Sequence, residues 1–219
     1  MIKSEAEIRR KNTIKELKKE KVDVIKGLPL LSDVENVHIK SFEEICKRAL
    51  ACAISASLSS ELDENPDPEL AIKIHQIYLQ KYSVESSLLS KEKLLFTNNY
   101  SNNDLIDVSW NFETLWVILW SLGLVPALGK PFATCDSYKA LFIVKEKQDY
   151  EDFKACCHPR PVSEILDAAD LYLNYYETLK EKQNNKNKKT GKLVYDVVLE
   201  RKRAFMWLLS EEKDYYNFG

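Results

Sequence analysis

The sequence predicts an all-α protein: a single compact multi-helix domain spanning residues 1–219, built around a buried, tryptophan-rich central helix. Three observations predict it. Trp110 to Leu124 holds three of the four tryptophans and is apolar nearly all round a helical wheel, which marks a core helix. With only 5 Gly and 7 Pro, the chain has too little punctuation for many short strands. Helix-start signatures, a serine with an acid three residues on, stand at Ser41–Glu44 and Ser101–Asp104.

Taken in order, residues 1–26 read as a charged N-terminal helix packed peripherally, with Ile8, Ile14 and Leu17 as a thin apolar stripe. After a loop, the Ser41 signature opens a helix to about Leu58. Its Ala49, Cys52, Ala53 and Ala56 let a neighbouring helix approach closely. An acidic turn, Asp63 to Pro68, leads to a helix ending near Tyr82, with Leu70, Ile74, Ile77 and Tyr78 at helical spacing. Ser90 caps a short helix carrying Leu94, Leu95 and Phe96. The central helix starts at the Ser101 signature and stops at Gly123, the residue helices favour for their exit.

Asp136 can cap a helix through Tyr138, Leu141, Phe142 and Val144, and the β-branched and aromatic content there leaves one short strand or hairpin open. Asp149 to Cys157 is another short helix. His158-Pro159-Arg160-Pro161 is a rigid break, because a residue before proline avoids the helical region. The helix that follows is two-faced: Ile165, Ala169, Tyr172, Leu173 and Tyr176 on the buried side, Asp167, Asp170, Asn174 and Glu177 on the other. Residues 184–191 form an exposed Lys/Asn-rich loop before a last helix from Leu193 to about Leu209.

Composition narrows the function classes. A net charge of -2 supplies no field for nucleic acid or acidic membranes. The apolar run from Leu115 to Leu128 is too short for a membrane span and is broken by Ser121, Gly123 and Pro126. Five cysteines without a Cys-x-x-Cys predict reduced thiols and a cytoplasmic location. No Gly-rich phosphate loop, nucleophile elbow or His-Glu-x-x-His occurs, so no cofactor and no metal are predicted. Cys156-Cys157-His158, with Cys135, is the one thiol–imidazole grouping, and its spacing suits neither zinc nor a nucleophile–base pair.

The polar residues that stand out are in apolar places. Glu113 lies between Trp120 and Leu124 on the central helix, and a buried carboxylate must be paired, hydrogen-bonded or protonated. Arg201 lies at the centre of the apolar face of the last helix, among Val197, Phe205 and Leu208, while Glu200 and Arg203 point away. The simplest solution is a structural Glu113–Arg201 ion pair that fixes helix packing, with Arg48 and Arg160 as competing partners for Glu113. The acids Asp167, Asp170 and Glu177, with Asn174, are spaced either as a solvated helix face or as a cation site.

Trp110-x-x-Glu113-x-Leu115-Trp116-Val117-x-Leu119-Trp120-x-Leu122-Gly123 resembles the signature of an uncharacterised, largely bacterial family, domain of unknown function 4272. Leu28-Pro29, Arg48-Ala49-Leu50, Cys135-Asp136, Arg160-Pro161-x-x-Glu164-Ile165-Leu166-Asp167-x-x-Asp170 and Glu200-Arg201-x-x-Ala204-x-x-Trp207-Leu208 extend the resemblance over nearly the whole chain. It implies one intact domain and puts Glu113, Arg160, Asp167, Asp170 and Arg201 on motif positions, but implies no activity. The chain departs from the pattern at its end, Lys213 to Gly219, and at Tyr175-Tyr176, where the family tends to His-Trp. Two functional readings remain. One is a soluble, non-catalytic binding or interaction module whose partner is unknown, another protein being one candidate. The other is an enzyme or small-ligand binder with a cleft lined by Glu113, Arg160, Arg201 and Asp167 or Asp170, for which those groups must converge.

Overall fold

The computed structural model describes residues 3–64 and 67–218, and within them the chain is all-α, with no strand. The helices are α1 (Glu5–Lys19), α2 (Phe42–Glu64), α3 (Pro68–Tyr82), α4 (Ser90–Phe96) and α5 (Asn102–Ser109). There follow α6 (Asn111–Ser121), α7 (Ser137–Lys145), α8 (Tyr150–Ala155), α9 (Val162–Asn184) and α10 (Tyr195–Leu208). The acidic turn expected at 63–68 lies partly outside the described residues. No described helix is long and apolar enough to cross a membrane. Contacts gather the chain into two compact, discontinuous units. The first is Met1–Ile39, Gly129–Thr134 and Arg160–Gly219; the second is Lys40–Leu128 and Cys135–Pro159.

The first unit holds α1, α9 and α10. α9 and α10 pack on each other, burying Ile165, Ala169, Tyr172 and Tyr176 from one and Val197, Val198, Phe205 and Leu208 from the other. The polar side of α10 is not solvated as its wheel suggested. Glu200 is buried and takes a 2.6 Å ion pair from Arg203, and the buried Lys202 ammonium sits 4.5 Å from the Tyr176 ring. Its desolvation lowers the Lys202 pKa.

α1 starts at a reciprocal Ser4–Glu7 capping box. It packs on α9 through Ala6, Arg9, Thr13 and Leu17 rather than through the Ile8–Ile14 stripe; Ile8 is half exposed. The Lys/Asn-rich loop is mostly exposed but tied down. Thr190 bridges Val22, Asp23 N–H donates to Lys189 O at 2.8 Å, and Lys189 N–H donates to the Asp23 carboxylate at 2.9 Å.

The second unit wraps α3, α5 and α6 around α2. Ser41 and Glu44 cap α2 reciprocally, at 3.2 and 2.9 Å. Ala49, Cys52, Ala53 and Ala56 are buried, as their small size predicts for a helix approached on several sides. Every residue of α6 except Phe112 is buried. The expected continuous central helix is broken in two, with α5 ending and α6 starting at Trp110, where Glu113 N–H donates to the Trp110 carbonyl three residues back. Two α2 side chains serve carbonyls flanking this break: Ser59 Oγ donates to Leu105 O at 2.6 Å, and Cys52 Sγ to Asn111 O at 3.4 Å.

Gly123 ends α6 with φ +77°, and a Cβ there would meet His158 O at 2.3 Å. His158 N–H donates to Leu122 O at 2.8 Å, so that close approach closes the turn. The segment left open to a strand is the helix α7, started by Asp136 accepting from Lys139 N–H at 2.9 Å.

Candidate functional site

The residues singled out in the sequence are mostly occupied with local structure. Glu113 is buried, and its Oε1 accepts the Cys135 N–H at 2.5 Å. Cys135 Sγ in turn donates to Phe112 O at 3.3 Å, and Trp116 Nε1 to Leu128 O at 3.0 Å, so α6 organises the chain that leaves it. Arg201, buried on α10, donates to Tyr172 OH at 2.8 Å and Gly129 O at 3.3 Å. Arg48 is buried too; it pairs with Glu92 at 2.6 Å and donates to Ser87 O, and the same Glu92 oxygen accepts from Asn111 Nδ2 at 2.9 Å. Glu92 carries no signal in the sequence beyond its place three residues after Leu89, which lets its other oxygen accept the Leu89 N–H at 2.8 Å. Arg160 makes an i,i+4 pair with Glu164 at 3.1 Å at the start of α9.

The polar ridge of α9 is only partly a solvated face. Asp167 is largely exposed, 3.4 Å from Arg9 Nε. Asp170 and Asn174, placed by the wheel on the outer face, are buried because α1 covers them. Arg10 grips Asp170 with Nη2 at 2.7 Å and Nε at 3.2 Å, and Thr13 Oγ1 donates to its second oxygen at 2.6 Å. Asn174 Nδ2 donates to Asp170 O at 2.7 Å. Arg10 also holds Leu28 O and Pro29 O, at 2.9 and 2.8 Å, so one guanidinium joins α1, α9 and the loop after α1. A carboxylate gripped this way is a fastening, with little left for a cation.

The thiols divide similarly. Cys46 and Cys157 are buried and hydrogen-bond each other; that bond, then burial, pushes the Cys157 thiol up, which suits an inert core group. Cys156 lies 3.2 Å from Lys147 Nζ, and the side chain of His158 is exposed. Among the described residues no group of three His, Cys, Asp or Glu side chains could hold a metal ion.

A different site stands out in the second unit, on α3. The stripe Leu70, Ile74, Ile77 and Tyr78 faces outward; Leu70 is 52 % and Ile77 64 % exposed. The buried side of α3 is Ala71, Ile72, His75, Leu79 and Tyr82. α7 likewise exposes Tyr138, at 86 %, and Phe142. A cleft of about 210 Å³ lies here, lined by Ala53, Ile54, Ser57 and Glu61 of α2, Ile74, His75, Tyr78 and Tyr82 of α3, and Leu141, Val144 and Lys145 of α7. Tyr82 OH secures one end by donating toward Lys147 O at 3.0 Å and Val144 O at 3.2 Å. His75 Nδ1 is 3.0 Å from Ala71 O and 3.7 Å from Glu61, with Tyr78 edge-on at a ring distance of 6.3 Å. Burial holds the imidazole below its usual pKa, opposed by the Ala71 carbonyl and Glu61 and assisted by Lys145. The sequence signal was the α3 stripe itself: periodicity reveals an apolar face but not whether anything covers it.

With the geometry in place, the comparison with known families is direct. A family model described as "Domain of unknown function (DUF4272)" matches residues 9–218. The chain belongs to the DUF4272 family. No curated protein and no solved structure matches it. The DUF4272 match takes in α6, the Arg10–Asp170 fastening and the α3–α7 cleft alike.

Proposed function

We propose that the protein is a non-catalytic interaction module that engages a partner protein through the outward apolar side of α3 and α7. One observation carries this reading: four large apolar side chains at helical spacing on α3 are exposed, where an amphipathic helix ordinarily buries them. Supporting it, Asp170, the most deeply buried acid of the proposed enzyme cleft, is fastened by Arg10 and Thr13. The partner surface is tested with a photo-crosslinking residue at position 77 or, as a control, at position 11 on α1. The adduct should form at 77 only. The captured protein, once purified, should bind wild type in calorimetry and lose about tenfold or more in affinity to Ile77→Asp, as truncating a central apolar anchor does. Equal adducts at both positions, or undiminished binding by Ile77→Asp, would refute the interface.

We further propose that Glu113 and Arg201 form the structural ion pair expected from their positions on apolar helix faces. Both are buried, and a buried charge that loses its partner costs about 3–5 kcal/mol. Glu113→Gln and Arg201→Met should each cost that much in urea melts, and the double variant less than their sum. Strict additivity would dismiss the pair.

A further inference from the structure

The net charge of -2 hides an uneven distribution within the first unit. Residues 15–26 are the end of α1 and the segment after it; residues 180–192 are the end of α9 and the Lys/Asn-rich loop. Together they hold eleven lysines against four acids, and nine of those lysines are exposed. The fold sets the two stretches side by side. Thr190 bridges Val22, and Asp23 and Lys189 exchange two hydrogen bonds. Gly191, at φ +56°, lies so near the end of α1 that a Cβ on it would meet Glu20 O at 2.5 Å. Lys182 Nζ reaches across the loop to Lys186 O and, at 2.8 Å, to Lys188 O. The loop lysines therefore stand on a tethered backbone.

Three of the four acids are held by other groups. Glu16 takes Lys130 at 2.7 Å and Lys19 at 3.1 Å, Glu20 takes Lys130 and the Tyr175 hydroxyl, and the Asp23 carboxylate takes the Lys189 N–H. Glu181 is the fourth, and Lys130 adds a positive charge beyond the eleven. Of the flanking acids, Glu177 acts on the buried Lys202 and Asp196 opens α10. Charges are screened beyond about 8 Å at physiological salt, so a ligand here meets the local excess of lysine and not the whole-chain balance. The missing field read from net charge holds for a chain whose charges are evenly mixed.

The side chains narrow the ligand. Neither stretch contains arginine, so phosphate is met by point charges without planar, bidentate recognition. Neither contains an aromatic residue, so the bases of a single strand have nothing to stack on. Neither exposes a large apolar side chain, so a bilayer would be held by charge alone, where stable anchoring takes two signals. A duplex needs none of these, since its backbone presents one charge per about 1.7 Å whatever its sequence. We propose that this surface binds the phosphate backbone of a double-stranded nucleic acid without reading its sequence, through Lys15 and Lys18 on α1 and Lys186 and Lys189 on the loop.

Fluorescence anisotropy of the full chain with a short labelled duplex tests this. Shuffling the duplex sequence should leave the affinity unchanged, and added salt should weaken it with a log–log slope of about -3 or steeper, as about three or more phosphate contacts require. Lys186→Glu/Lys189→Glu and Lys15→Glu/Lys18→Glu should each weaken binding about tenfold or more while melting in urea like wild type. Lys73→Glu/Lys139→Glu changes the net charge equally at exposed positions of α3 and α7 and should keep the affinity within about twofold. No binding at low salt, or an equal loss in that control, overturns the surface. Three further probes are an oligo(dT) single strand, phosphatidylcholine vesicles carrying phosphatidylserine, and polyglutamate. If any of them binds as tightly as the duplex and depends equally on Lys186 and Lys189, the duplex assignment is overturned.

Discussion

Replacing Asp170 with alanine should unfasten α1 from α9. The carboxylate accepts three charge-assisted or hydroxyl hydrogen bonds, from Arg10 Nη2 and Nε and from Thr13. The side chains of Arg10 and Asp170 are 12 % and 2 % exposed, so water replaces little of what is lost. Orphaning one member of a fully buried pair costs about 3–5 kcal/mol, and Arg10 keeps the Leu28 and Pro29 carbonyls, which puts the expected loss near the low end, about 3 kcal/mol. With a urea slope of about 1–3 kcal/mol per molar, the transition should move down by roughly 1–3 M. Hydrogen exchange should show the α1 amides opening ahead of those of α6. Arg10→Met should cost a similar amount, and adding it to Asp170→Ala should cost about 2 kcal/mol less than the two together, because the singles remove one shared interaction. If Asp170→Ala melts within about 0.5 kcal/mol of wild type, the range of an ordinary surface substitution, the fastening argument fails.

Three further expectations concern the second unit and are checked independently. Gly123→Ala combines a left-handed backbone with a Cβ 2.3 Å from His158 O, so it should cost about 2 kcal/mol or more, read as a lower melting temperature. Glu92→Gln removes the carboxylate that takes Arg48 and the Asn111 amide together, and should cost about 3–5 kcal/mol in denaturant; a loss below about 1 kcal/mol would mean that the charge contributes little. His75 has a lowered pKa in the fold, so the unfolded chain binds a proton first as the pH falls through about 6.5. Stability should therefore fall below that pH and level off once the folded-state value is passed. Its imidazole NMR titration midpoint should lie below that of a free histidine, and a midpoint above 6.5 would contradict its burial.

What could be read from the sequence was what depends on near neighbours. The Ser41–Glu44 box, the small residues of α2 and the buried α6 follow from spacing within a few turns, and the structure has each of them. The break at Trp110 had no such signal, since no glycine or proline marks it and its carbonyls are served by Ser59 and Cys52 of another helix. Asp170 was misplaced for the same reason. A wheel shows which side of α9 is polar, but the arginine that buries that side comes from far away in the chain. On α3 the error ran the other way. Its apolar stripe was plain, while the side that is buried is the other one, Ala71, Ile72, His75, Leu79 and Tyr82. Periodicity ranks faces by composition; packing chooses between them by what else is available to cover them.

The Arg10–Asp170 clasp also has a consequence during synthesis. Its two ends lie 160 residues apart, and at about 5–20 residues per second α1 waits about 8–32 s before its counterpart on α9 has been made. Through that interval the second unit can close on itself, because α2 to α8 are consecutive and α9 is still to come. α1 then has only the loop that follows it to hold, through Leu28 O and Pro29 O, and its composition suits that wait. Arg9, Arg10 and Thr13 dock it by charge and hydroxyl beside Ala6 and Leu17, so most of the docking face exposed to other nascent chains is polar. The polarity that makes this helix hard to place from sequence is what makes it safe to leave unpaired until the chain returns to it.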